Sequence, residues 1–328
     1  MTPIIQVRIH SSQYPQNVRR DLLYSLRTRQ VDHKFHYDTV GQTQRWLAVH
    51  QALSPACTDP DGSQVYDRCF DAVAKDLGPD PVQVIGLGCG AGEKDARLLR
   101  RLCAPNRRVF YTPCDVSVPL VLIAHQLAAS IIPENDSEPL VLNLLGADDL
   151  PTVLAERAGP SARRLITFFG MIPNFEPQMI LPRLAVLLQP ADNLLFSANL
   201  APGPDYAAGV QKIMPQYDNA LTHEWLLAFL TNLGVERSNG VLRFGIENCP
   251  VLPELKRVAA YFHFVQPCSI TIDQTRFEFA EGEAIRLFFS YRYTPDKLRA
   301  VLAGYGITIR EQWINDSEEE GVFLCQKH

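Results

Sequence analysis

The chain has 328 residues, 46% of them apolar and 20% charged, which is material for one large core or two smaller ones. Lys and Arg number 31 against 36 Asp and Glu, so no basic surplus exists to neutralise phosphates, and nucleic acid is not expected as a partner. The longest apolar stretch, Val118 to Ile132, holds His125 and Gln126 and is shorter than the ~20 residues that span a bilayer; the expectation is a soluble, cytoplasmic protein with no membrane partner.

Met1, Thr2, Pro3 and Ile4 carry no basic region followed by an apolar block, so no secretory leader is read there. Asn17 to Arg29 places Val18, Leu22, Leu23 and Leu26 at helical spacing and reads as an amphipathic helix. From about Pro81 short β-rich runs alternate with helical stretches. Strands are expected at Val82–Leu87, Arg108–Tyr111, Leu140–Leu145, Arg164–Phe169 and Asn193–Leu200, and helices at Glu93–Cys103, Val118–Ser130 and Met179–Leu188. Such alternation predicts a parallel, doubly wound sheet with right-handed crossovers. Beyond Leu200 it stops: a helix from Ala220 to Leu233 precedes β-like runs at Val241–Ile246, Arg257–Val265, Ser269–Ile272 and Arg276–Phe279. Thr294, Pro295 and Asp296 then start a helix to Ala303, with Pro at its first position, and Gly304 and Gly306 end it. Two strands close the chain, Ile307–Ile314 and Gly321–Gln326, around the acidic run Glu318 to Glu320, read as a solvated turn. The eight Cys show no CxxC and no Cys/His metal spacing, which fits reduced thiols, and no metal is expected.

The run Val84-Ile85-Gly86-Leu87-Gly88-Cys89-Gly90-Ala91-Gly92 follows a strand and precedes a helix, where a doubly wound sheet binds nucleotides. Asp115, at the end of the next strand, is placed to accept both hydroxyls of a ribose. The glycine spacing also satisfies a dinucleotide pattern, so NAD stays open beside S-adenosylmethionine (SAM). The antiparallel tail favours SAM.

Further segments carry a resemblance. They are Val7-Arg8-Ile9, Tyr37-Asp38-Thr39-Val40-Gly41, Leu87-Gly88-Cys89-Gly90 with Lys94, Cys114-Asp115-Val116-Ser117, Gly146-Ala147-Asp148, and Gly170-Met171-Ile172-Pro173-Asn174-Phe175-Glu176-Pro177. With Tyr217-Asp218-Asn219, Gly282-Glu283-Ala284-Ile285-Arg286 and Ser290, the chain resembles the histidine-specific Nα-methyltransferases of ergothioneine biosynthesis and their relatives acting on tryptophan-derived amino acids. The resemblance implies a class I SAM-methyltransferase-like Rossmann sheet (α/β), with SAM as cofactor. It implies an N-terminal helical segment over 1–75 packing on the core, a SAM-binding domain over 76–200 and 284–328, and an inserted α+β lid domain over 201–283. It implies Gly86, Gly88, Gly90, Lys94, Asp115 and Asp148 as cofactor-binding residues, and Asn174, Tyr217 and Tyr37 as the catalytic residues that hold and deprotonate an amino acid amine.

Two departures bear on the substrate. The Tyr-Tyr-Pro-Thr-Arg segment of the family is missing, with Ser54-Pro55-Ala56 and Tyr66 in its neighbourhood. The family's imidazole-gripping Glu is Phe288 here, while Ser290 remains. Histidine would lose its charged partner, so the expected substrate is an amino acid other than histidine, or a related small amine, in specialised metabolism. Phe169, Phe288 and Ser290 are the expected substrate-binding residues; Phe168 and Phe289 read as core. The competing enzyme reading is attack on the aminocarboxypropyl arm of SAM, by its own amine to give azetidine-2-carboxylate or by an outside acceptor, releasing 5′-methylthioadenosine. A non-catalytic SAM-binding scaffold is the third reading.

Overall fold

The computed structural model describes residues 4–104, 107–155 and 162–328; Met1 to Pro3, where no leader is read, lie outside them. In chain order the first elements are β1 (Arg8–Ile9), α1 (Pro15–Thr28), α2 (Val40–Leu53), α3 (Pro55–Thr58) and α4 (Pro60–Asp76). There follow β2 (Val82–Leu87), α5 (Glu93–Leu102), β3 (Val109–Asp115), α6 (Val118–Ala129), β4 (Leu140–Val141), α7 (Leu150–Ala155), β5 (Arg163–Phe169), α8 (Pro177–Leu187) and β6 (Asn193–Asn199). These and the last two strands, β12 (Ile307–Ile314) and β13 (Glu320–Lys327), form an eight-stranded sheet in the order β1-β4-β3-β2-β5-β6-β13-β12. It is parallel from β1 to β6 and turns antiparallel at β13, which lies between β6 and β12. All six residues of β2 are buried, as a strand covered on both faces requires. On one face Val82 and Val84 pack with Val65, Phe70 and Leu98 from α4 and α5. On the other, Ile85 and Leu87 pack with Ile180, Leu184 and Leu302.

The chain order reverses at β2, whose neighbours are β3 and β5, so a crevice opens outside the carboxyl ends of β2 and β5. Over it lies a second unit built from α9 (Tyr206–Lys212), α10 (Ala220–Asn232), β7 (Gly240–Asn248), β8 (Lys256–Phe264), the hairpin β9 (Cys268–Ile272) and β10 (Thr275–Phe279), and β11 (Ala284–Arg292). Helix α11 (Pro295–Ala303), capped by the Thr294 hydroxyl at the Lys297 amide, leads back to the sheet.

Two boundaries differ from the sequence expectation. Strand β11 pairs antiparallel with β8 over Ala284 to Arg292, so residues 284–292 belong to the three-stranded sheet β11-β8-β7 and not to the eight-stranded one. The N-terminal segment also divides. Leu26, Val31 and Phe35 share the second unit's core with Trp225, Phe262 and Ile285, and Gln30 bridges to Arg286, whereas α4 packs on the central sheet. A strand's pattern states that it is half-buried; the partner that covers it is settled by tertiary packing.

Candidate active site

The turn after β2 is built for close approach. Gly88 and Gly90 have φ of +60° and +55°, a region that costs a side-chain-bearing residue about 1–2 kcal/mol. A Cβ on Gly88 would lie 2.7 Å from Met171 Cγ, and one on Gly90 2.8 Å from Trp46 Cη2. Gly86 serves differently: a Cβ there would fall 2.4 Å from Asp95 Oδ2. That buried carboxylate accepts from Tyr111 Oη and Thr167 Oγ1 at 2.7 Å each, and burial pushes it up to about 6.

Asp115 ends β3 beside this turn. One oxygen accepts the Gly90 amide at 3.1 Å and the other the Ser117 amide at 3.0 Å, leaving lone pairs on both for a ligand. Burial pushes its carboxyl up to about 6 against the pull of those backbone N–H groups.

The crevice has two lobes that share Tyr37, Trp46, Gly88, Gly90 and Met171. The smaller, about 70 Å³, runs along Asp115, Val116, Leu142, Asn143, Leu144 and Phe175. The larger, about 220 Å³, is lined by the glycine turn, Lys94, Phe169, Asn174, Tyr217, Arg292 and Glu320. A carboxylate with free lone pairs in an apolar lobe fits an adenosine. The Tyr37 and Trp46 rings, edge to face at 5.7 Å, stand where the lobes meet and fit a sulfonium cation.

Of the sequence-derived candidates, Tyr37, Gly88, Gly90, Lys94, Phe169, Asn174 and Tyr217 line the larger lobe, and Asp115 lines the smaller. Burial raises the Tyr37 phenol above its ordinary range, so Tyr37 stays protonated at neutral pH and is a donor, not a base. Asn174 makes only a 3.4 Å contact from its amide nitrogen to the Gly170 carbonyl. Tyr217 donates to Ser290 Oγ at 2.9 Å and receives an Arg292 N–H at 2.9 Å. One lone pair of its oxygen stays open.

Three placements differ. Asp148 is 91% exposed, pairs with Arg183 at 2.8 Å and lines neither lobe. The chain leaves the sheet earlier than expected: β4 ends at Val141, and Asn143, whose Oδ1 receives the Leu145 amide at 3.1 Å, already turns it. Asn143, not Asp148, is therefore the polar residue that this turn brings to the smaller lobe. Phe288 and Ser290 line neither lobe; they sit one layer behind, the Phe288 ring 5.9 Å from that of Tyr217. A register shift between Arg286 and Phe288 turns both Leu287 and Phe288 into the core of the second unit. Third, Glu320 is not solvated. It is the first residue of β13, 4% exposed, and it lines the larger lobe. All six residues from Glu320 to Cys325 are buried, as in a strand covered on both faces, and Glu320 shares the face of Val322 and Leu324. Trp46 and Arg292 are lobe residues that sequence reasoning did not single out.

A doubly wound sheet whose last strand returns antiparallel between two others, with a glycine turn at its switch point, is the class I arrangement of SAM-dependent methyltransferases. Residues 18–327 match the model of a family described as histidine-specific, SAM-dependent methyltransferases, and the chain belongs to that family. It is a SAM-dependent methyltransferase, and SAM is its methyl donor. No curated protein matches the chain. Among solved structures it is similar to the magnesium protoporphyrin IX methyltransferase of Synechocystis PCC 6803 with bound SAH (13% identity, 89% of this chain and 97% of that one, TM-score 0.47). It is also similar to the CcbJ methyltransferase of Streptomyces caelestis (13% identity, 80% and 96%, TM-score 0.41). A third is the 1,6-didemethyltoxoflavin-N1-methyltransferase of Burkholderia thailandensis (13%, 87% and 90%, TM-score 0.40). Among the described residues no helix is long and apolar enough to cross a membrane.

Proposed function

We propose that the chain is an N-methyltransferase acting on the α-amine of an amino acid other than histidine, or a related small amine, in specialised metabolism. The observation that carries this reading is the layer behind Tyr217. Phe288 packs there against Tyr217 and Trp225, and the Ser290 hydroxyl, 1% exposed, already receives the Tyr217 proton. An imidazole directed at that layer would meet an aromatic ring and one hydroxyl with a single proton left to donate, so its other nitrogen would go unpaired at a cost of about 1–3 kcal/mol.

SAM, when bound, supplies a methyl group activated by its sulfonium. The protein's part is orientation and exclusion of water. Asn174 and Tyr217 both face the larger lobe, and each has acceptor capacity left for the N–H groups of a neutral amine. Two such bonds direct the remaining nitrogen lone pair. Arg292 fixes the Tyr217 hydroxyl, its guanidinium also bonding the Leu200 carbonyl at 3.1 Å and Gln216 at 3.1 Å.

Steady-state kinetics across the amino acids test the reading. The expected result is that an apolar or aromatic amino acid, or an amine derived from one, has a specificity constant well above that of histidine. Histidine as the best acceptor overturns it. Phe288→Glu is expected to lower turnover of the native acceptor.

A further inference from the structure

The larger lobe contains a buried carboxylate that neither Asn174 nor Tyr217 uses. Glu320 has a side chain 6% exposed, and its Oε1 receives the Tyr66 hydroxyl and lies 3.5 Å from the Lys94 ammonium. Its Oε2 is buried and has no partner among the described residues. A desolvated carboxylate oxygen left unpaired is costly, and such oxygens in a cavity wall mark a place for a donor. Tyr66 is locked as a donor: burial and the adjacent Glu320 push its phenol well above the ordinary range.

Lys94 is the second residue of α5, directly after the glycine turn, and Glu320 stands opposite Asn199 at the end of β6. The 3.5 Å separation between ammonium and carboxylate is long for a tight ion pair. Lys94 also lies 4.7 Å over the Tyr66 ring. One cation and one anion thus face the same lobe side by side, both incompletely satisfied. That is the complement of an α-amino acid head, whose ammonium and carboxylate sit on a single carbon.

We infer that Glu320 holds the α-ammonium of the methionine arm of SAM, with Lys94, already a cofactor-binding residue by the family resemblance, toward its carboxylate, an inference that rests on reading this crevice as the SAM site. A consequence follows for selectivity between the two electrophilic carbons of the sulfonium. An amine held against Glu320 stays protonated and cannot close on its own chain, which leaves the methyl group as the carbon that reacts.

Calorimetry with two nucleosides tests it: S-adenosylhomocysteine, which carries the amino acid head, and 5′-methylthioadenosine, which lacks it. Glu320→Gln is expected to weaken S-adenosylhomocysteine by about tenfold or more, the scale of a hydrogen bond to a charged group, and to leave 5′-methylthioadenosine within about twofold of wild type. Lys94→Met, which leaves the Tyr66–Glu320 bond in place, should show the same selective loss and decides the matter if the Gln variant does not fold. Equal weakening of both nucleosides, or unchanged binding of both with a raised acceptor KM, overturns the assignment of Glu320. Failure of wild type to bind either nucleoside overturns the reading of the crevice itself.

Discussion

Asp115→Asn isolates the ribose contact. In the wild type each carboxylate oxygen takes one backbone N–H, from Gly90 at 3.1 Å and Ser117 at 3.0 Å, so each has capacity for one ligand hydroxyl. The amide keeps one acceptor, turns the other into a donor facing a backbone N–H, and removes the charge. Losing one charge-assisted bond is worth about 1.5–3 kcal/mol, or roughly a 10- to 150-fold weaker Kd for S-adenosylhomocysteine by calorimetry. A pH series sharpens the test. Burial pushes the Asp115 carboxyl up to about 6, and the charged form is the acceptor. Wild-type affinity is therefore complete above that pH and falls as pH drops through it, approaching about tenfold per unit, whereas the Asn variant should be flatter across the same range. Unchanged affinity in a variant that still melts cooperatively, or identical pH profiles for the two proteins, would refute the role of Asp115.

Gly90→Ala places a methyl group 2.8 Å from the Trp46 ring at a φ of +55°; melting and nucleoside titration should show a loss of about 1–2 kcal/mol in stability and weaker binding. Tyr217→Phe strips Ser290 of a donor and Arg292 of an acceptor, so kcat/KM for the acceptor should fall about 5- to 150-fold while nucleoside Kd stays within about twofold; an unchanged kcat/KM would remove Tyr217 from the amine site.

The alternation of strands and helices from Val82 to Asn199 is legible because the strands are buried on both faces and α5, α6 and α8 start at a glycine turn, a Ser117 cap and a proline. Val82–Leu87 and Ile307–Ile314 fall where the sequence puts them, and Thr294 with Pro295 starts α11 as expected. What was not legible depends on packing between distant segments. Residues 284–292 are expected with the SAM-binding domain, and nothing local says that they form a strand paired with β8, or that a bulge at Leu287 turns Phe288 away from the crevice. Asp148 attracted attention through its motif, but the turn at Asn143 removes it from the sheet two residues after β4 ends. Glu320 was hidden in an acidic run whose first two members are indeed at the surface or partly so. Charge alone suggests solvent; the unbroken apolar run Val322 to Cys325 that follows, buried on both faces, is what carries Glu320 inward.

The most direct measurement is the identity of the nucleoside left when the protein is incubated with SAM, first alone and then with pooled amino acids, separated by liquid chromatography and mass. S-adenosylhomocysteine that forms only when an acceptor is present, with the methyl group recovered on an amino acid nitrogen, is the predicted result. Stoichiometric 5′-methylthioadenosine, above all from SAM alone, would contradict methyl transfer and show that the aminocarboxypropyl arm is the group that reacts.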